Sequence, residues 1–110
     1  MENEIMTWLV DIKQAIREIN QFLPDKKNFL EFQKDIKTKR AIERNIEIIG
    51  AAVNRILKFK PDFQISYARK IIDTRNRISH GYDSVSDDII WSIVIRDISQ
   101  LEEEINRLIG

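Results

Sequence analysis

Apolar residues in this chain recur at intervals of three and four. From the amino terminus, Ile5, Trp8, Leu9, Ile12, Ala15, Ile16, Ile19, Phe22 and Leu23 fall on one face of a helix. Pro24 ends that segment, because the residue before a proline is pushed out of the α region. A second run through Ile42, Ile46, Ile49, Val53, Ile56 and Leu57 stops near Phe59, ahead of Pro61. A third is expected to start near Ser66, to carry Tyr67, Ala68, Ile71, Ile72, Arg75 and Ile78, and to end at Gly81. Ser86 is a candidate N-cap for a fourth, with Asp87 and Asp88 in its first turn and Ile90, Trp91, Val94, Ile98, Leu101, Ile105 and Leu108 behind them. Residues 25–36 are ambiguous: Phe29, Leu30 and Phe32 can cover the core from a short helix or from an ordered loop. No alternating strand pattern competes. The pattern predicts an all-α fold, an antiparallel bundle of four to five helices.

A chain of 110 residues suits one domain, here 1–110, with a small core. Eighteen basic residues balance 18 acidic ones, which excludes a globally basic nucleic-acid binder. The balance is uneven along the chain. Residues 24–60 hold ten bases and five acids, residues 61–82 four and two, and residues 83–110 two and seven. A positive middle is therefore offset by acidic ends, which permits a local anion-binding surface. With no cysteine, disulfides, thiolate nucleophiles and cysteine-ligated zinc are out. No apolar run reaches the length of a membrane span, and the first residues lack the basic start and apolar stretch of a signal peptide, so the expected compartment is the cytoplasm. A single histidine without HExxH makes a poor metal site, and Glu102-Glu103-Glu104 reads as solvated surface. Gly50, beside Ala51 and Ala52, has no strand before it and no GKS or GKT after it. It reads as close helix–helix packing rather than a phosphate loop.

Chemistry concentrates in Arg75-Asn76-Arg77-Ile78-Ser79-His80-Gly81-Tyr82. Arg75 and Ser79 share a helix face, His80 falls at the helix end and Tyr82 lies beyond Gly81. Arginine offers a rigid donor fork for phosphate, and histidine moves protons near neutral pH. The residues alone leave two readings open. One is a phosphate-handling site. In the other, His80 caps the helix end, Arg75 pairs with Asp73 or a neighbouring helix, and Tyr82 covers the end of the bundle.

The spacing Arg75-x4-His80-x-Tyr82 resembles the RX4HXY signature of the HepT-like (DUF86) branch of the HEPN superfamily. Asn76 matches the asparagine usual after that arginine, Ile89-Ile90-Trp91 looks like the family's C-terminal half, and Arg40 to Gly50 resembles its second helix. The resemblance covers nearly the whole chain. Two departures stand out: Ala51 where the family commonly has glutamate, and Ser99 near a common proline, which suggests a straighter final helix.

The resemblance implies a HEPN-like bundle that dimerises with itself, its two motifs facing one cleft. It implies a metal-independent endoribonuclease that needs no cofactor, the toxin of a pair whose other member is a small MntA-type nucleotidyltransferase. That partner would use ATP to place AMP on Tyr82 and silence the nuclease. Arg75 would hold the scissile phosphate, and His80 would take the 2′-hydroxyl proton or protonate the leaving 5′-oxygen, the opposite role falling to the other subunit's His80 or to water, with Asn76 and Ser79 in support. Arg77 is expected to contribute groove charge only. The alternative is a non-catalytic helical partner of the nucleotidyltransferase, or an RNA-binding module that leaves RNA intact.

Overall fold

The computed structural model describes residues 3–23, 25–80 and 86–110, with His80 described only by its place in its helix. All regular structure among them is helical: α1 (Asn3–Phe22), α2 (Phe29–Lys34), α3 (Ile36–Phe59), α4 (Ala68–His80), α5 (Asp87–Ser92) and α6 (Ile98–Ile109), with a π-helical turn, Ile93–Asp97, joining the last two. The all-α expectation holds. Pro24 and Gly81, the expected stops of the first and third helices, lie outside the described residues.

Side-chain contacts fix the helix directions. Trp8, early in α1, meets Phe59 at the end of α3 edge to face, with ring centroids 5.8 Å apart. Glu47 of α3 meets Ser79 of α4, while Gly50 lies against Arg75. Asn20, late in α1, reaches Glu102, early in α6. The first and last pairs join the start of one helix to the end of another, and along α3 the α4 partner falls from 79 to 75 as the position rises from 47 to 50, so these neighbours run antiparallel. The molecule measures 41 × 32 × 18 Å, and its thinnest dimension is about two helix diameters. The core lies between these layers. Isoleucine dominates it: Ile12, Ile19, Ile42, Ile49, Ile56, Ile93 and Ile105 are fully buried.

Residues 25–36 resolve into a short helix with clear local causes. The Asn28 side chain caps α2 by accepting from the Glu31 N–H, and Asp35 caps α3 by accepting from the Thr38 N–H at 3.1 Å. Thr38 Oγ1 also donates to Asp35 Oδ2, at 2.6 Å, and these bonds hold the Asp35 carboxyl below its ordinary value of 3.8. Phe32 is buried and stacks with Phe29 and Trp91, whereas Leu30 is 61% exposed and does not cover the core.

Three further expectations change. The third helix begins at Ala68, two residues later than the sequence pattern suggests. Ser66 is instead held by Glu104 of α6, its N–H donating to Oε1 at 2.8 Å and its hydroxyl to Oε2 at 2.9 Å. Glu104 is therefore a clamp on the α4 entry rather than free surface. The final helix is also not uniform in the absence of proline: the Ile98 N–H donates to the Ile93 carbonyl, five residues back. Within this π turn Asp97 is fully buried, with Oδ1 3.3 Å from Arg96 Nε. Its Oδ2 sits 2.8 Å from Lys70 Nζ, outside hydrogen-bond geometry, so that contact is charge to charge. Among the described residues no helix is long and apolar enough to cross a membrane.

Candidate active-site groove

The contact between α3 and α4 builds the candidate site. Gly50 is buried at the crossing. A Cβ placed there would land on Arg75 Cβ, 2.7 Å from Arg75 Cγ and 3.3 Å from the Ile71 carbonyl oxygen. Only a residue without a side chain lets α4 come this close, so the expected packing role of Gly50 is borne out. The same contact fixes the base of the Arg75 side chain. Its far end is held by the next residue: Arg75 Nη1 donates to Asn76 Oδ1 at 2.7 Å. Pairing with Asp73 is not what occurs. Asp73 lies 3.8 Å from Arg69, one turn back along the exposed side of α4.

Arg75 and Ser79 open together into a groove of about 360 Å³ between α3, α4 and α1. Its α3 wall carries Arg44, Glu47, Ala51 and Arg55, and Asp11 enters from α1. Ser79 Oγ donates to Glu47 Oε2 at 2.8 Å across the groove. Among the described residues no carboxylate lies within ion-pairing distance of Arg44, Arg55 or Arg75. Three guanidinium groups thus line one groove with their charge uncommitted, a setting suited to phosphate.

Of the residues singled out in the sequence, Arg75, Asn76 and Ser79 are brought together. His80 closes α4 directly after Ser79, and Tyr82 lies outside the described residues. Arg77 lines a different groove, with Tyr67, Lys70 and Ile89, in accord with its expected separation from Arg75. Tyr67 there has φ +61°, a left-handed backbone uncommon for an aromatic residue. Sequence reasoning missed Arg44, Glu47 and Arg55. The signal was available: with Ala51 they are spaced three, four and four, one polar stripe on a helix whose other face is isoleucine.

An all-helical bundle with an arginine-lined groove across its second long helix and the RX4HXY helix has HEPN-like architecture. The chain belongs to the ribonuclease HepT-like family, whose model matches residues 12–108. Ribonuclease is thus its enzyme class. A Methanocaldococcus jannaschii protein named "Putative RNase MJ0127" is 32% identical over 99% of this chain and 93% of its own length. "Probable ribonuclease HepT" of Thermococcus cleftensis is 30% identical over 98% of both chains. "Putative RNase TTE0752" of Caldanaerobacter subterraneus is 31% identical over 74% of each. No solved structure matches the chain.

Proposed function

We propose that the protein is a metal-independent endoribonuclease that cleaves RNA through the substrate's own 2′-hydroxyl. The carrying observation is the placement of Arg75: packed across Gly50, braced by Asn76 and unpaired with any described carboxylate in a groove that also holds Arg44 and Arg55. Arg75 binds the scissile phosphate and stabilises the negative charge that builds on it in the transition state. The 2′-oxygen attacks phosphorus, and the bond to the 5′-oxygen breaks. His80 serves one of the two proton transfers this requires. Arg44 and Arg55 hold flanking backbone, so binding weakens as salt rises.

Two copies of the chain face their motifs into one cleft, and the natural partner is a small nucleotidyltransferase of the MntA type. AMP added from ATP to Tyr82, two residues beyond His80 in the sequence, brings a negative phosphate and a bulky base. It competes for the arginines that bind RNA. This is the arrangement of a toxin silenced by its antitoxin.

The test is cleavage of single-stranded RNA by the purified protein in EDTA, with end-group analysis of the products. Wild type leaves 2′,3′-cyclic phosphate ends, and His80→Ala abolishes cleavage while helicity by circular dichroism stays unchanged. Full activity in His80→Ala refutes its role. Salt-sensitive retention of intact RNA by wild type identifies a binding module instead.

A further inference from the structure

Cleavage through the 2′-hydroxyl needs one group to take the hydroxyl proton and another to protonate the leaving oxygen. The chain has one histidine. The groove around Arg75 supplies two carboxylates, Asp11 and Glu47, and they are held differently. Glu47 is half-buried and receives the Ser79 hydroxyl at 2.8 Å, whereas no hydrogen bond or ion pair among the described residues ties Asp11 to α4. Ser79 lies one turn beyond Arg75 and directly before His80. The antiparallel register sets Gly50 opposite Arg75 and Glu47 opposite Ser79. The carboxylate is therefore displaced from the phosphate-binding arginine by about one helical turn, ~5 Å along the groove, the scale of a single nucleotide. A carboxylate has two oxygens and about four acceptor positions, and Ser79 occupies one of them. Arg44 and Arg55 flank Glu47 on α3 and Arg75 stands across the groove on α4, with Asp11 of α1 the only like charge among the described residues that line it.

We propose that Glu47 is the general base of the cleavage, oriented by Ser79 as its positioning residue, and that His80 is accordingly the general acid. The proposal rests on the ribonuclease reading above. The Glu47 carboxylate takes the proton of the 2′-hydroxyl as that oxygen forms its bond to phosphorus. The bond from phosphorus to the 5′-oxygen breaks, and the departing oxygen receives its proton from His80. One proton enters the protein and one leaves it, the products being a 2′,3′-cyclic phosphate and a free 5′-hydroxyl. Water later exchanges the proton from Glu47 to His80.

The assay compares an RNA oligomer with the four nucleoside 3′-(4-nitrophenyl phosphates), whose leaving group departs without a proton. Wild type cleaves both substrates. His80→Ala loses oligomer cleavage but retains the aryl esters. Glu47→Gln, which keeps the shape and the bond to Ser79, loses about 10²-fold or more in kcat on both substrates. Ser79→Ala lowers kcat on both with KM unchanged. Circular dichroism of each variant, together with Glu47→Ala as a second truncation, separates lost chemistry from lost fold. Wild-type rates in folded Glu47→Gln overturn the proposal. So does a Glu47→Gln defect that the aryl leaving group repairs, since that would make Glu47 the acid. Wild type inactive on both substrates overturns the nuclease reading itself, and the base with it.

Discussion

Gly50→Ala tests whether the α3–α4 crossing builds the active groove. The added Cβ meets Arg75 Cβ and lies 2.7 Å from its Cγ. Arg75 Cβ is fixed to the α4 backbone, so a rotamer change cannot clear it and the helices must separate. Overpacking costs about 1–3 kcal/mol, and a clash relieved only by moving backbone belongs near 3. Against this, alanine is favoured over glycine inside a helix by about 1 kcal/mol. The net loss is about 2 kcal/mol. In a domain of 110 residues this lowers Tm by roughly 8 °C, at about 4 °C per kcal/mol. Thermal unfolding followed by circular dichroism at fixed protein concentration measures it. Activity should fall further, by about 10²-fold, because displacement of Arg75, the proposed phosphate-binding arginine, by an ångström degrades the attack geometry. A double-mutant cycle isolates the cause: Arg75→Gly removes the colliding Cβ, so Gly50→Ala should be milder in that background. A variant with unchanged Tm and full cleavage, or strictly additive effects in the cycle, refutes the reasoning.

Asp97→Asn removes a fully buried charge that faces Lys70 and Arg96, and stability to urea should drop by about 2 kcal/mol, less than for a sealed pair because both cations reach solvent. An unchanged urea midpoint would show that the pair contributes nothing. Asp35→Ala removes the α3 cap. Its carboxyl is depressed in the folded chain, so its contribution is present above the ordinary value of 3.8 and lost as pH falls through the folded one. Wild type and variant should therefore differ in denaturation midpoint at pH 7 and converge in acid, and a gap that persists there would assign the effect to helix propensity. With a cognate nucleotidyltransferase and ATP, intact-mass measurement should show added AMP units that vanish in Tyr82→Phe, and an undiminished mass increase in that variant would place the acceptor elsewhere.

The fold was largely legible because its core is written in one residue type at one spacing. Ile12, Ile16, Ile19, Ile42, Ile46, Ile49 and Ile56 are all buried where the helical period puts them. Periodicity fails where tertiary contacts decide. Ser66 looks like a helix start, yet both its N–H and its hydroxyl are taken by Glu104, 38 residues away, and the helix starts later. No local signal marks the π turn. It is accompanied by a buried Asp97 whose partner Lys70 lies on another helix, and sequence separation hides such a pairing.

The candidate site was legible on one helix and hidden on the other, and the reason is general. Arg75, Asn76 and Ser79 lie within five residues, so their spacing can be recognised in a string. Arg44, Glu47 and Arg55 become part of the site only because Gly50 lets α4 approach, and that approach is a property of two surfaces. The departure at Ala51 takes on a physical meaning in the same light. Position 51 lines the groove, where an alanine leaves room, and the carboxylate one turn earlier, at Glu47, is the one that reaches α4 through Ser79. An Ala51→Glu variant would set a second carboxylate beside Arg75 and Glu47. It would compete for the phosphate-binding charge, and in RNA cleavage KM should rise before kcat changes. The neutral net charge is consistent with the proposed function, since three uncommitted arginines gathered in one groove do not require a positive charge on the whole chain.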